Sequence, residues 1–370
     1  MFECDTLEHA PMAPACTGRA QAVRAMNVLY VSFTEQAARP YLDASTRYRC
    51  FHAVEAARAL GHRAFITTQA ALRTTDPALF DLVVIHRPAA TPELVRFLRA
   101  GCAAGTRLVA DYDDLIFDAA YAEASAMSAS SWNLPALFET FKSNKDALTL
   151  FTEFTVPTAA MRDRILELHP GATVQVLPNA VSPSLWSMVA SRNYQHQTQR
   201  PCIGYFPGEA ANGSDLAIAA AGVAKLCRSR GIPLRIVGPT QATPAALRGV
   251  EVERMEVLPF SGMFDALSKC LVVIAPFKSS PLNRARPQTG VLEALLSCTA
   301  CVATASPDAA RHRDGLAAAP VSLVGDGGDW AAALEERWDG FDLAGATQAR
   351  DALVRRSGAV RVYTPLFGAV

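Results

Sequence analysis

The chain has 370 residues, half of them hydrophobic and 19% charged, which is longer than one hydrophobic core usually organises and too apolar for a disordered polypeptide, so two globular domains are expected. Lys plus Arg and Asp plus Glu both number 35. No excess positive charge is left to hold a polyanion by counterion release, which argues against a nucleic acid partner.

Residues 1–25 contain acids, prolines, Cys4 and Cys16 but lack the continuous apolar core of a signal peptide, and are expected to be a loose extension. No later stretch approaches about 18 to 20 uninterrupted apolar residues, so no transmembrane helix is expected. The nine cysteines are odd in number, scattered and mostly apolar in setting, as Cys270 is before LVVIAP. That pattern suits buried thiols in a reducing, cytoplasmic compartment rather than a disulfide framework. Cys298 and Cys301 have redox-type spacing, but they run into the apolar VAT, and packing is the expectation for both.

From Met26 short apolar runs alternate with amphipathic stretches: NVLYVSF, a helix around Arg47 to Leu60, RAFITT, DLVVIHR, a helix over Pro92 to Ala100, RLVADYDD, FTEFTVPT and TVQVLPN. Apolar runs without polar alternation predict strands covered on both faces, as in a parallel sheet flanked by helices. Residues 26–180 therefore form a first domain. Residues 181–201 are irregular and polar and predict a linker. The rhythm restarts with CIGYF, an Ala-rich helix from Ser214 to Arg230, PLRIVGP, VEVERM, CLVVIAPF, a helix near Gln288 to Ser297, ACVAT and PVSLV, making 202–345 a second domain. Residues 346–370, helix-like from Ala346 to Arg356, either cover a domain or return to the first. The expected fold is α/β, two doubly wound Rossmann-like domains with ligands at the carboxyl ends of their strands, facing a cleft.

The sharpest local feature is PFKSSPLNRARPQTGVLE, Pro276 to Glu293, which joins the end of an apolar strand to a helix start. Pro287 suits the first turn of that helix, whose free N–H groups form an anion site. Arg286 lies beside it with a planar guanidinium suited to a diphosphate. Glu293 can accept two hydrogen bonds from a ribose diol. A solvated helix glutamate and idle loop arginines remain the alternative reading of the segment alone.

In the first domain Asp111, Asp113 and Asp114 end a strand, a usual place for ligand groups in an open α/β sheet. Three uses compete: binding or deprotonating an acceptor hydroxyl, holding a divalent metal, and capping the next helix. Arg47 and Arg49 start a helix, and Arg87 follows the strand LVVIH, so all three edge the cleft, where they either meet acceptor phosphate or hydroxyls or pair with the acids. His86 reads as a packed strand-end residue more readily than as a catalytic base.

NRARPQTGVLEALLSCTACVATASP resembles the C-terminal signature of family 4-like GT-B glycosyltransferases of bacterial surface-polysaccharide biosynthesis. Other similarities follow in order: Arg47, Tyr48 and Arg49 with the helix ending at Leu60 and Gly61, DLVVIHRP, ADYDDLIFD, TVPT, VLPNAV, IGYFPGEAANGSD, LRIVGP, and LPF before the helix near Met263, together spanning residues 27–315. The resemblance implies a GT-B fold and transfer of a sugar from a nucleotide-sugar donor to a glycan or lipid-linked acceptor. It further implies retention of anomeric configuration, no cofactor and no protein-bound metal. Carried over by position, Glu293 holds the donor ribose and Arg286 the diphosphate, with Asn283, Thr289 and Gly290 as further donor contacts. Gly204 and Gly208 fall in the first loop of the donor domain, where backbone approaches ligand closely. Asp113, Asp114 and Arg286 would be catalytic, with Arg47, Arg49, Arg87 and Asp111 binding acceptor. A lipid-linked acceptor is compatible with peripheral association at the inner face of the membrane, although no segment is a strongly basic amphipathic helix. The chain departs from the pattern at three positions: Ala285 stands where the first of two glutamates is common, Asn212 where histidine is, and Gly290 where lysine is.

Overall fold

In β1 (Asn27–Ser32), Val28 and Tyr30 enter one buried cluster while Leu29 and Val31 enter another, so side-chain alternation of period two feeds two cores rather than one core and solvent. The computed structural model describes residues 24–121, 134–192, 201–207, 214–239 and 243–367. Asp43 caps the next helix, accepting from Ser45 N and Thr46 N, so α1 (Ala44–Thr46) starts before the expected Arg47. It passes through one π-helical stretch, Arg47–Phe51, into α2 (His52–Ala59). There follow β2 (Arg63–Thr68), β3 (Leu82–His86), α3 (Pro92–Ala104), β4 (Arg107–Asp111), α4 (Leu134–Leu148), β5 (Glu153–Val156), α5 (Ala159–Leu168) and β6 (Thr173–Val176). All six strands are parallel, in the order β2-β1-β3-β4-β5-β6. Leu94, Phe97, Met161 and Ile165 of α3 and α5 cover one face; Ala53, Val54 and Ala57 of α2 cover the other.

The span expected to be an irregular linker contains α6 (Pro183–Ala190), capped by Ser182, with Leu185 and Val189 buried against the second domain. The second sheet is built from β7 (Ile203–Tyr205), α7 (Ser214–Arg230), β8 (Leu234–Val237), β9 (Val252–Met255), α8 (Phe260–Leu267), β10 (Val272–Ala275), α9 (Pro281–Ala285), α10 (Thr289–Leu296), β11 (Ala300–Thr304), α11 (Pro307–Arg313), β12 (Val321–Val324) and α12 (Trp330–Asp339). Its parallel order is β12-β11-β10-β7-β8-β9. Both sheets thus have the doubly wound form. Cys298 and Cys301 are buried, and neither is in a disulfide.

The chain then runs through α13 (Leu343–Ser357), whose Leu353 joins the second domain, and crosses back beside its earlier crossing: Val181 N donates to Ser357 O and Ala359 N to Val181 O, each at 2.8 Å. In α14 (Ala359–Phe367), Tyr363, Leu366 and Phe367 pack into the first domain's core alongside α2. No described helix is long and apolar enough to cross a membrane.

Candidate active site

The order of the second sheet reverses between β7 and β10, and at the carboxyl ends of these strands lies a cavity of about 290 Å³. A topological switch point leaves such a crevice because the flanking connections depart to opposite faces. Phe206, Pro207 and Pro276 form apolar walls, and Asp215, Asn283, Arg286, Gln288 and Glu293 bring polar groups to it, with Gly290 at its edge.

Two short helices build the polar wall. Ser280 caps α9, accepting from Asn283 N at 3.1 Å, with Pro281 at its first position. The chain is extended at Arg286, and α10 begins only at Thr289. Pro287 therefore precedes the helix instead of occupying its first turn, and the N-cap is Gln288, whose N–H is taken by Asp308 Oδ2 at 2.7 Å. Burial alone would raise the Asp308 carboxyl, but His312, Arg311 and the Gln288 N–H more than offset it and hold it well below the usual range. Val291 N and Leu292 N turn back to Gln288 O. The first N–H groups of α10, at Thr289 and Gly290, are the ones left for a ligand.

Glu293 lies on the cavity side of α10, where Tyr48 Oη of the first domain donates to its Oε1 at 2.9 Å. Burial pushes the Glu293 carboxyl up to about 7, against the opposing pull of the Tyr48 hydrogen bond and the Arg47 charge. Arg286 Nη2 is 2.9 Å from Asp114 Oδ2, and its Nη1 donates to Asn283 Oδ1 at 3.2 Å. Asn283 Nδ2 in turn fixes Lys278 O at 2.7 Å. Residues from both domains thus meet across the cleft.

On the first domain the carboxyl ends of β1, β3 and β4 converge on a charged network. Asp111 is 2% exposed and Arg49 1%. Arg49 donates to both Asp111 oxygens, at 3.1 and 2.5 Å, and to Leu177 O at 2.5 Å. Asp111 also accepts from Thr155 Oγ1 at 2.6 Å and contacts His86 Nδ1 at 2.8 Å. Burial would raise its carboxyl, yet the Arg49 charge and the His86 contact bring it down to about 2. Nearer the cleft, Arg87 Nε donates to Asp113 Oδ1 at 2.6 Å, and Arg87 adopts a left-handed φ of 52° that a side chain rarely takes.

Ser45 Oγ lies 2.7 Å from His86 Nε2, which completes a Ser45–His86–Asp111 series. It does not make a nucleophilic triad. Ser45 Oγ also donates to Asp113 Oδ2 at 2.6 Å, and the helix N–H groups that could hold an oxyanion are capped by Asp43. His86 is fully buried within this network.

Several expected ligand residues have structural partners instead. Arg49 and Asp111, expected to bind acceptor, are both buried and satisfy each other. Arg47 is 7% exposed, donates to Tyr41 O and Leu42 O, and lies 4.0 Å over the Phe260 ring of the second domain. Gly204 lies inside β7, where a Cβ would come within 2.7 Å of both Cys270 Sγ and Phe206 Cε2. Close packing beneath the cavity explains that glycine. Thr289 Oγ1 accepts from Asn179 Nδ2 at 3.2 Å, another tie between domains. Neither Asp111, Asp113 nor Asp114 caps the following helical turn; Asp118 does, accepting from Ala120 N at 2.8 Å. Gly208 and Asn212 lie outside the described residues. Asn283, Arg286, Gly290 and Glu293 line the cavity, Asp114 reaches it through Arg286, and Arg87 is tied to Asp113, which is 7% exposed. Among the described residues no group of three or more His, Cys, Asp or Glu is placed to hold a metal ion.

Tyr48, Asp215 and Ser45 were not singled out for a role by sequence. Their partners lie 245, 63 and 41 residues away, at Glu293, Lys278 and His86, so local spacing carried no signal.

No family model matches the chain, and no curated protein does. Solved structures match it over nearly its whole length. A glycosyltransferase from Rickettsia africae ESF-5 has a TM-score of 0.58 at 11% identity, over 93% of this chain and 98% of the other. An alpha-glucosyltransferase in complex with UDP-glucose and DNA containing an abasic site gives 0.65 at 9% identity, over 93% and 99%. HepE from Anabaena, in complex with UDP and glucose, gives 0.57 at 13% identity, over 92% and 98%. The architecture is GT-B. In GT-B terms the cavity by Glu293 belongs to the C-terminal domain and the Asp113–Asp114 edge to the N-terminal domain. At such identities the likeness carries the fold and nothing finer.

Proposed function

We propose that the chain is a nucleotide-sugar-dependent glycosyltransferase whose donor lies in the cavity between β7 and β10. The observation that carries this reading is the meeting of Arg286, Glu293 and the open start of α10 in one switch-point cavity that faces the carboxylates of the other domain. Glu293 takes the ribose diol. Arg286, Asn283 and the N–H groups of Thr289 and Gly290 receive the diphosphate, whose growing charge as the glycosidic bond breaks they stabilise. The acceptor hydroxyl approaches from Asp113, Asp114 and Arg87, forms the new bond to the anomeric carbon, and passes its proton to the departing phosphate, with retention of configuration. UDP or UDP-glucose bound in the alpha-glucosyltransferase and HepE supports a nucleotide-sugar donor. The DNA of the former complex is not carried over, because this chain has no net charge with which to hold it. A glycan or lipid-linked acceptor in cytoplasmic surface-polysaccharide synthesis, with peripheral contact to the membrane, fits the sequence signature.

The test is a thermal-shift and calorimetric screen of nucleoside diphosphates and nucleotide sugars, repeated with Glu293→Ala and Arg286→Ala and followed by transfer assays. Stabilisation lost in both folded variants, with transfer to an acceptor, is the expected result. One observation favours a second reading, a non-catalytic nucleotide-sugar-binding module: Ala285 is 3% exposed and supplies no carboxylate to the cleft. Binding without transfer or donor hydrolysis across broad acceptors would select that reading.

A further inference from the structure

Two carboxylates line the cavity, Glu293 and Asp215. Glu293 is engaged by Tyr48. Asp215, in the first turn of α7, is half-buried beside Tyr205 and Phe206. Its Oδ1 accepts Lys278 N at 3.1 Å, and its Oδ2 accepts no hydrogen bond among the described residues. A carboxylate oxygen with unused lone pairs on a cavity wall is open to a hydrogen-bond donor from a ligand in that cavity. Burial raises the Asp215 carboxyl, opposed by the Lys278 N–H and by the Arg286 and Lys278 charges.

Ala285 shows why no acid from α9 does this. It packs among first-domain residues with Leu282, and its carbonyl accepts from Thr158 Oγ1 at 2.6 Å. A longer acid at 285 would run into that core, away from the cavity. Sugar hydroxyls are donors, and a fixed carboxylate oxygen that shares a cavity with a diphosphate-binding arginine is where they can be read.

We propose that Asp215 is the sugar-recognition carboxylate of this chain, its Oδ1 held by the Lys278 N–H and its Oδ2 accepting hydroxyls of the donor's glycosyl group. The assignment rests on the donor-site reading of the same cavity. Asp215 is then a specificity residue: it adds nothing to the nucleoside diphosphate and distinguishes sugars by where their hydroxyls lie.

Asp215→Asn separates this role from a purely structural one, since the amide oxygen can keep the Lys278 N–H while the amide nitrogen turns a donor toward the sugar. Calorimetry on the full chain would compare UDP, GDP, ADP and dTDP with their glucose or mannose conjugates, for wild type, Asp215→Asn and Asp215→Ala, with melting temperatures in parallel. Expected is nucleoside diphosphate affinity equal to or above wild type in both variants, and sugar-nucleotide affinity reduced about tenfold or more in both. Intact nucleoside diphosphate binding with an unchanged sugar increment overturns the assignment alone. Restoration by Asn of both melting temperature and sugar affinity reduces Asp215 to a loop anchor. No binding of any nucleoside diphosphate by wild type overturns the donor-site reading itself.

Discussion

Tyr48 Oη of the N-terminal domain donates to Glu293 Oε1 of the C-terminal domain at 2.9 Å. This bond ties the relative position of the domains to the charge of one carboxylate. An ionised Glu293 accepts it best, and that carboxylate is pushed up to about 7 by burial. Closing the cleft and titrating Glu293 are therefore linked.

The folded-state value of Glu293 lies above its ordinary 4.5, so the folded protein binds the proton more tightly than the unfolded chain. Stability contributed in this way is present at low pH, falls as pH rises from about 4.5 to 7, and stays lost above it. Glu293→Gln, which cannot ionise, should exceed wild type in stability at pH 8 by on the order of 3 kcal/mol and match it near pH 4.5. Urea unfolding at the two values measures this.

A ribose diol is held best by the ionised form, so nucleotide affinity should rise with pH through about 7. Tyr48→Phe removes a donor that favours ionisation and should move that midpoint upward, weakening nucleotide binding severalfold at pH 7 with little change at pH 9. Titrations across pH decide it.

Asp114 occupies Arg286 as a diphosphate would. Asp114→Asn keeps an oxygen for the Leu115 N–H, which Asp114 Oδ1 accepts at 2.9 Å, while releasing the guanidinium. Nucleoside diphosphates should bind about three- to tenfold more tightly, and Arg286→Ala should abolish the gain, as read by calorimetry at constant salt.

Arg49 and Asp111 form a buried pair, and removing one member leaves the other's charge unsatisfied. Asp111→Ala should cost about 3–5 kcal/mol in denaturant unfolding. Arg49→Met should cost less, because Thr155 and His86 still serve Asp111.

Gly204 and Gly290 should behave oppositely. Gly204→Ala forces a Cβ against Cys270, Phe206 and Val273 and should destabilise by about 1–3 kcal/mol. At Gly290 a Cβ would meet only Ala275 Cβ at 3.8 Å, so Gly290→Lys should fold normally. Its ammonium at the cavity edge should tighten diphosphate binding, detectable as a larger thermal shift with UDP or GDP.

The twelve strands of the described residues and their division between two sheets were readable from the local pattern of residues. Runs such as LVVIH and ACVAT are buried at every position, and a strand covered on both faces must be largely apolar, a requirement visible without partners. The segment carrying Arg286 and Glu293 was legible as the join between an apolar strand and a helix, while the roles of the two residues came from the resemblance. That Arg49 and Asp111 are buried against each other and that Ala285 faces the other domain came only with the folded arrangement. It alone also gave Glu293 its partner in Tyr48. Burial and pairing of a charged group depend on which surfaces meet, and residues separated by 62 or 245 positions carry no local trace of meeting.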